Sequence, residues 1–156
     1  MAIVLNQGRI AIATAISALP IYVGIGSGDV SWDTTPEPED VNAKTLVSPL
    51  GYRKATQVQF CKPKSDGEIL VPSGNFEVSL EPTNYLYLSF QFNFTDVPEE
   101  TIREVGVFLN TTLTGSQTGF ITPEQIASVG DMTVLEHVKI ARSANVRQQF
   151  EFIIQF

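Results

Sequence analysis

One glycine-rich stretch of this sequence has the composition of a phosphate-binding loop. Gly24, Gly26 and Gly28 alternate in Gly24-Ile25-Gly26-Ser27-Gly28. Such a loop binds an anion when it opens into a helix whose N-terminus faces the phosphate, with a lysine or a further glycine in register. Here Asp29 follows at once and leads into an acidic segment, so an anion would meet like charge. We therefore interpret these glycines as a tight turn.

The other residues that could do chemistry lack the partners that the chemistry requires. Asp29, Ser31 and Asp33 have the spacing that begins a calcium loop, but the loop glycine and the distal glutamate are missing. The chain has one histidine, His137, and one cysteine, Cys61, which are too few for a zinc site. No Gly-x-Ser-x-Gly motif supplies a nucleophile, and nothing singles out a carboxylate pair. We predict no catalytic residue, no metal, no cofactor and no enzymatic activity.

Aromatic side chains are the remaining candidates for a binding role. Tyr85 and Tyr87 lie on one face of an alternating segment, and Trp32 stands beside Asp33 and Pro36 in the acidic segment. Aromatic residues are enriched in protein interfaces, and a tyrosine stripe usually packs under a loop or a partner. We predict that these five residues form an interface. A sugar-binding platform on a carbohydrate-binding β-sandwich is the alternative that stays open.

Composition narrows the class of protein further. The chain has 156 residues, 43% of them hydrophobic and 17% charged, with a net charge of −7. We expect a single domain over residues 1–156, and the low charged fraction favours a protein that lies against partners. The acidic balance argues against nucleic acid, because that affinity depends on Lys and Arg. We recognise no signal peptide, and the apolar stretches fall short of the roughly 18 residues that span a membrane.

Hydrophobic periodicity predicts the elements that position these residues. Residues Tyr85–Phe94 alternate, which predicts a strand with Leu86, Leu88, Phe90, Phe92 and Phe94 facing the core. The opposite face carries no charge, so we predict a cover from a neighbouring subunit, with a loop of the same chain as the alternative. Further strands are predicted at Ile21–Ile25, Ala55–Phe60, Ile102–Leu109, Thr133–Ile140 and the C-terminus. The thiol of Cys61 should be half-buried.

Two helices and one loop complete the prediction. Gly8–Leu19 is rich in Ala and Ile and is followed by Pro20, which predicts an N-terminal helix. A strand is the alternative, because β-branched Ile loses rotamer freedom in a helix. Thr122-Pro123-Glu124-Gln125 resembles a capping box and predicts a short helix near 122–129. An exposed acidic Pro-rich loop is expected at 29–42, where we predict that residues 30–41 dock a partner and contribute little to the fold. The fold class is mainly β, an antiparallel β-sandwich or partly closed barrel.

The order of the motifs resembles a known family. After the Ala-rich segment come the glycines of Gly24–Gly28, then Trp32–Pro36, then Gly51-Tyr52-Arg53-Lys54, and then Ile102–Phe108. This order is similar to the N-terminal domain of phage tail-collar fibre proteins and related small baseplate or tail-fibre adaptor proteins of contractile-tailed bacteriophages. The resemblance spans nearly the whole chain, and Ile102–Phe108 is its most distinctive part.

The resemblance implies a structural role in a virion tail that is assembled in the host cytoplasm. It implies a baseplate component or an adaptor that attaches fibres by protein–protein contacts, as an oligomer or a bound subunit. The alternative is a carbohydrate-binding module that recognises the host surface. The family's strand motif falls on Arg103, Glu104, Gly106 and Phe108, to which we assign a structural role. Arg103 and Glu104 must point to opposite faces of a strand, so we predict that each has its own partner.

Overall fold

One α-helix and twelve β-strands make up the fold in the computed structural model, which describes residues Met1–Phe156. The helix α1 covers Asn6–Ser17, and single 3-10 turns lie at Val30–Asp33 and Pro123–Gln125. The strands are β1 Ile21–Gly26, β2 Pro49–Lys54, β3 Gln57–Pro63, β4 Ile69–Val71, β5 Gly74–Val78, β6 Tyr85–Phe92, β7 Thr101–Leu109, β8 Thr112–Leu113, β9 Phe120–Ile121, β10 Ile126–Ser128, β11 Asp131–Ala141 and β12 Gln148–Gln155.

The strands form two five-stranded sheets and one small pair. The first sheet has the order β11-β7-β1-β2-β9, the second has the order β12-β6-β3-β5-β4, and β8 pairs with β10. In the first sheet every adjacent pair is antiparallel. The predicted mainly β fold with antiparallel sheets and an N-terminal helix is confirmed.

The chain divides into two compact units, each built from separate segments of the sequence. The first unit contains Met1–Leu19, Ala55–Phe90 and Gln149–Phe156, and the second contains Pro20–Lys54 and Gln91–Gln148. The second unit packs Tyr22, Leu46, Tyr52, Phe108 and Ile121 into one apolar cluster. The first unit has a cluster of Cys61, Ile69, Phe76 and Tyr87. The expectation of a single domain stays a prediction.

The helix α1 lies at the surface of the first unit. Ala13 is its one buried residue, and Leu19 N–H donates to the Ile16 carbonyl just before Pro20, which cannot continue the helix. The guanidinium of Arg9 donates to the main-chain carbonyl of Phe156 at 3.1 Å. The helix starts two residues before the predicted Gly8. No helix of the chain is long and apolar enough to cross a membrane.

The second predicted helix is wrong in length. The capping box forms, since the Gln125 side-chain oxygen accepts from Thr122 N–H at 2.9 Å. However, the chain turns extended at Ile126 and enters β10, where Ile126 pairs with Leu113 of β8. The prediction over 122–129 therefore becomes one 3-10 turn, because the β-branched Ile126 gains a strand partner.

The predicted core face of β6 is correct for four of its five members. Leu86, Leu88, Phe90 and Phe92 are completely buried, whereas Phe94 is 41% exposed. The strand ends at Phe92, and the Asp96 carboxylate accepts from Asn93 N–H at 2.7 Å, which turns the chain. Phe94 then lies beneath the Arg147 guanidinium, 5.0 Å from its ring centre. The alternation therefore predicted a strand two residues longer than β6, because Asn93 and Phe94 belong to that turn.

Candidate interaction site

The acidic arm, defined here as residues 29–42 of the second unit, begins with a capped turn. An Asp29 side-chain oxygen accepts from Ser31 N–H at 2.8 Å, and this bond holds the pKa of Asp29 below its usual value. The 3-10 turn Val30–Asp33 follows. A 3-10 helix has three residues per turn, so the side chains of Trp32 and Asp33, which are adjacent in sequence, point in different directions. They contact different parts of the second unit.

Arg103 on β7 binds the arm through Asp33. Its Nε and Nη2 donate to the two Asp33 oxygens at 3.0 and 2.9 Å, and its Nη1 donates to the Ser27 carbonyl at 3.1 Å. Lys139 Nζ on β11 lies 3.3 Å from the same carboxylate. The Arg103 hydrogen bonds, and then Lys139, hold the pKa of Asp33 below its usual value. This bidentate geometry is the one a guanidinium forms best with a carboxylate.

Trp32 binds the arm to β11 by stacking. Its ring lies 4.2 Å from the His137 ring at an interplanar angle of 22°, and its Nε1 donates to the Glu37 carboxylate at 2.9 Å. His137 Nδ1 lies 2.7 Å from the Glu37 carbonyl, so that nitrogen carries the proton. The backbone N–H of His137 donates to the Glu39 carboxylate at 2.9 Å and lowers the pKa of Glu39.

Glu104 holds the segment that follows the arm. It is 1% exposed, and its two oxygens accept from Val47 N–H at 2.9 Å and from Ser48 N–H at 2.8 Å. Gly26 makes room for this carboxylate, because a Cβ at Gly26 would lie 2.2 Å from a Glu104 oxygen. The prediction that Arg103 and Glu104 each have their own partner is confirmed.

The other glycines of the first motif make room for aromatic rings. A Cβ at Gly24 would lie 2.7 Å from Tyr52 and 2.9 Å from Phe108, and one at Gly28 would lie 2.4 Å from Trp32. Gly28 also has φ +55, a value that favours glycine. Gly24 pairs with Gly106 across the sheet. The interpretation of these glycines as a tight turn is therefore wrong for Gly24 and Gly26, which lie in β1 and make room for side chains that pack on the sheet.

Tyr85 and Tyr87 belong to the first unit, whereas Trp32, Asp33 and Pro36 belong to the second. Tyr87 is buried, and its hydroxyl donates to the Glu151 carboxylate at 2.5 Å. Burial and that bond raise the pKa of Tyr87 to about 12. Tyr87 is therefore covered by strand residues of its own chain, with Glu151 in β12 and Ile69 and Phe76 beside its ring, and not by the loop that was the alternative; its part in an interface stays a prediction. Tyr85 packs on Phe76 and borders an open depression of about 620 Å³.

Cys61 is more deeply buried than predicted. The thiol has no exposed surface, and burial raises its pKa to about 11. It packs with Ile69, Phe76 and Tyr87 in the apolar cluster of the first unit. A thiolate at neutral pH is therefore disfavoured, and Cys61 acts as a small apolar side chain.

The acidic arm and β11 border an open depression of about 290 Å³ in the second unit. Three of the five predicted interface residues line it, together with Arg103 of the family motif. The full lining is Trp32, Asp33, Pro36, Glu37, Arg103, His137, Val138 and Lys139. The lining combines apolar side chains with charged side chains that already have partners in the chain. Nowhere in the chain do three or more His, Cys, Asp or Glu side chains gather as a metal site would require.

Sequence reasoning missed three members of this site. His137 and Lys139 reach Glu37 and Asp33 of the arm across about a hundred residues of sequence, and no local pattern signals such a contact. Glu37 lies within the arm and accepts from Trp32 five residues away. The single Trp and the single His of the chain are stacked on each other. The arm has contacts to β7 and β11 that the sequence did not suggest, and the expectation that it contributes little to the fold stays a prediction. An exposed acidic segment needs such anchors, because it buries too little apolar area to stay ordered alone.

A family model described as baseplate wedge 3 tail fiber network component matches residues 1–156. The chain belongs to this family. No curated protein matches the sequence. The resemblance predicted from the motif order, a small baseplate or tail-fibre protein, is thereby confirmed.

As a baseplate wedge 3 tail fiber network component, the protein is a structural subunit of the phage baseplate and is therefore part of the virion tail. Its family is structural and not enzymatic. A wedge component contacts tail-fibre or baseplate proteins.

Proposed function

We propose that the protein is an adaptor that joins a tail-fibre or wedge protein to the baseplate through the acidic arm. The observation that carries this proposal is an exposed arm held in one conformation by long-range contacts. Asp33 is fixed by Arg103, and Trp32 is fixed by His137. A segment ordered in advance loses less conformational entropy when it binds, so more of the contact energy appears as affinity.

The arm region also presents apolar groups that nothing in its own unit covers. Val30, Val41 and Val47 are all largely exposed, and Pro36 borders the depression beside Trp32. Single exposed apolar residues are ordinary on a protein surface, so these valines support the proposal less than the depression that Pro36 and Trp32 line together. The chain's net charge of −7 favours a partner whose contact surface carries Lys or Arg at its rim.

The test is incorporation into particles by a variant whose fold is intact. Pro36→Arg adds a charge at the depression, while Thr118→Arg adds the same charge at an exposed position of the same unit. Each variant would be supplied to phage that lack the wild-type copy, and tails would be examined for the subunit. We expect Pro36→Arg to reduce incorporation at least about tenfold, because a misplaced charge in an interface costs more than 1.4 kcal/mol.

Melting curves of the two purified variants provide the control for folding. Both should match the wild type, since both positions are exposed. If Pro36→Arg entered tails as well as Thr118→Arg does, the arm would not be the docking element. If only Thr118→Arg failed, the contact would lie on a different surface of the second unit.

A further inference from the structure

One face of the sheet β12-β6-β3-β5-β4 carries almost no charge. Directly paired residues of neighbouring strands present their side chains on the same face, so Tyr87 of β6 shares this face with Gln59 of β3. Tyr85 lies there too, because side chains two residues apart in a strand point the same way. We call it the tyrosine face. Its only charged strand residue is Glu151 of β12, whose carboxylate accepts from the Tyr87 hydroxyl.

Two open depressions lie next to each other along the tyrosine face. One of them has about 620 Å³ and the other has about 390 Å³, and both belong entirely to the first unit. The same three strands line both, each with one residue in the larger depression and, two positions away, one in the smaller: Phe76 and Val78 in β5, Tyr85 and Tyr87 in β6, and Ile153 and Glu151 in β12. Two residues of a strand span about 7 Å, which is therefore the step from one depression to the next.

Neutral polar groups line both depressions beside the tyrosines. Four exposed side-chain amides contribute to the lining, namely Asn75 and Gln155 in the larger depression and Gln57 and Gln59 in the smaller. An amide both donates and accepts hydrogen bonds. The carboxylate of Glu151 accepts from the Tyr87 hydroxyl and from the Gln149 amide through the same oxygen, Oε1, which leaves Oε2 as an open acceptor.

This lining argues against several classes of ligand. An anion such as phosphate would need unpaired cations, but the one cation that lines a depression, Lys64, lies 2.7 Å from the Glu77 carboxylate. Peptides are recognised chiefly at a strand edge, in an apolar groove or by a cluster of arginines, and the tyrosine face is none of these. A neutral polyhydroxylated ligand fits, because the C–H face of a sugar ring packs on an aromatic ring while its hydroxyls bond to amides and carboxylates.

We propose that the tyrosine face binds a neutral oligosaccharide. Tyr85 packs on one sugar ring in the larger depression, and Gln57, Gln59 and Glu151 bond the hydroxyls of the next ring in the smaller one. The acidic arm belongs to the second unit, so glycan binding is an activity in addition to the adaptor role. Each neutral hydrogen bond adds little affinity, so one copy binds weakly and the several copies of a particle bind together.

The first experiment asks whether the protein binds glycans and of which charge. The full chain, coupled in many copies to fluorescent beads so that weak contacts add up, is applied to an array of immobilised bacterial polysaccharides and oligosaccharides. The array includes chitohexaose, cellohexaose and maltohexaose as neutral probes and polygalacturonate as an anionic one. We expect retention on neutral glycans and none on polygalacturonate. An array that retains no beads, or retains them only on anionic glycans, would overturn the proposal.

The second experiment locates the site by calorimetry with the neutral oligosaccharide that the array retains best. Gln59→Ala and Gln155→Ala should each raise the dissociation constant about threefold to tenfold, the effect of one lost neutral hydrogen bond. Gln7→Ala removes the same amide from an exposed position of α1 and should leave the constant unchanged. Tyr85→Ala should raise it at least about tenfold, whereas Tyr85→Phe, which keeps the ring, should stay within about threefold of the wild type.

Melting curves of each variant check the fold. Tyr85 is half-buried, so its alanine variant is the one that can lose stability, while Gln59 and Gln155 are exposed and keep the test decisive. If Gln59→Ala and Gln155→Ala bound the oligosaccharide as tightly as the wild type, the sugar would lie elsewhere and the assignment would fail. A blank array combined with loss of Gln59→Ala from tails would identify the face as a protein contact instead. None of these results bears on Pro36→Arg, which tests the other unit.

Discussion

Replacing Glu104 by glutamine should destabilise the protein out of proportion to the size of the change. The substitution keeps the shape of the side chain but exchanges one acceptor oxygen for an NH₂ group that donates. Because Glu104 is 1% exposed and accepts from Val47 N–H and Ser48 N–H, the new amide must point its NH₂ at one of those donors. Water cannot replace the lost bond at that degree of burial.

The magnitude follows from the two bonds. A hydrogen bond to a charged group contributes about 1.5–3 kcal/mol, and leaving a buried donor unsatisfied costs about 1–3 kcal/mol. One neutral bond survives and offsets about 1 kcal/mol, so we expect the free energy of unfolding to fall by about 1.5–5 kcal/mol. For a protein of this size the middle of that range corresponds to a decrease of roughly 10 °C in melting temperature.

The measurement is urea denaturation at neutral pH, with Glu39→Gln as the matched control. Glu39 also accepts from a backbone N–H, that of His137 at 2.9 Å, but its side chain is exposed. The control should therefore lose less than about 1 kcal/mol, because water can satisfy the freed N–H. A loss below about 1 kcal/mol in Glu104→Gln, or equal losses in the two variants, would refute the reasoning from burial.

Three further predictions concern the glycine beside Glu104, the arm and the thiol. Gly26→Ala should destabilise the protein by about 2–4 kcal/mol in the same denaturation assay, because its Cβ would displace the Glu104 carboxylate, and a change below about 0.5 kcal/mol would contradict this. Because the pKa of Asp33 is lowered, its carboxylate should stay charged and bound to Arg103 even at pH 3.8, its ordinary pKa. The contact should break only at a pH below the lowered pKa, and only there should the emission of Trp32, the only tryptophan, shift to the red. Asp33→Asn should show that red shift already at neutral pH, and an unshifted spectrum would mean that Arg103 does not hold the arm. Cys61 should resist alkylation in the native protein and react after denaturation, whereas rapid native labelling would contradict its burial.

The strands could be predicted from the sequence because alternation is a local pattern. The segment Tyr85–Phe94 showed it clearly, and β6 follows it from Tyr85 to Phe92. The end of the strand was missed because Asp96 caps Asn93 N–H, a turn that hydrophobic periodicity does not register. The short helix was predicted too long for a similar reason: the capping box predicted its first turn correctly, but Ile126 continues as a strand that pairs with β8.

The site could be predicted only in part, because its geometry depends on contacts that are distant in sequence. Trp32 and Asp33 were identified from residue type, and Arg103 was identified from the motif. Their connection to one another through His137 and Lys139 depends on β11 lying next to β7, which no local pattern reveals. The burial of Tyr87 likewise depends on Glu151 of β12, more than sixty positions away.

The measurement that tests the central claim most directly is a cryo-electron microscopy map of the intact baseplate. Such a map locates every copy of the subunit among its neighbours. We predict that Trp32 and Pro36 of the acidic arm contact a different baseplate or tail-fibre chain, with Asp33 still bound to Arg103. An acidic arm that faces solvent in every copy, with the fibre or wedge protein bound elsewhere, would contradict the account.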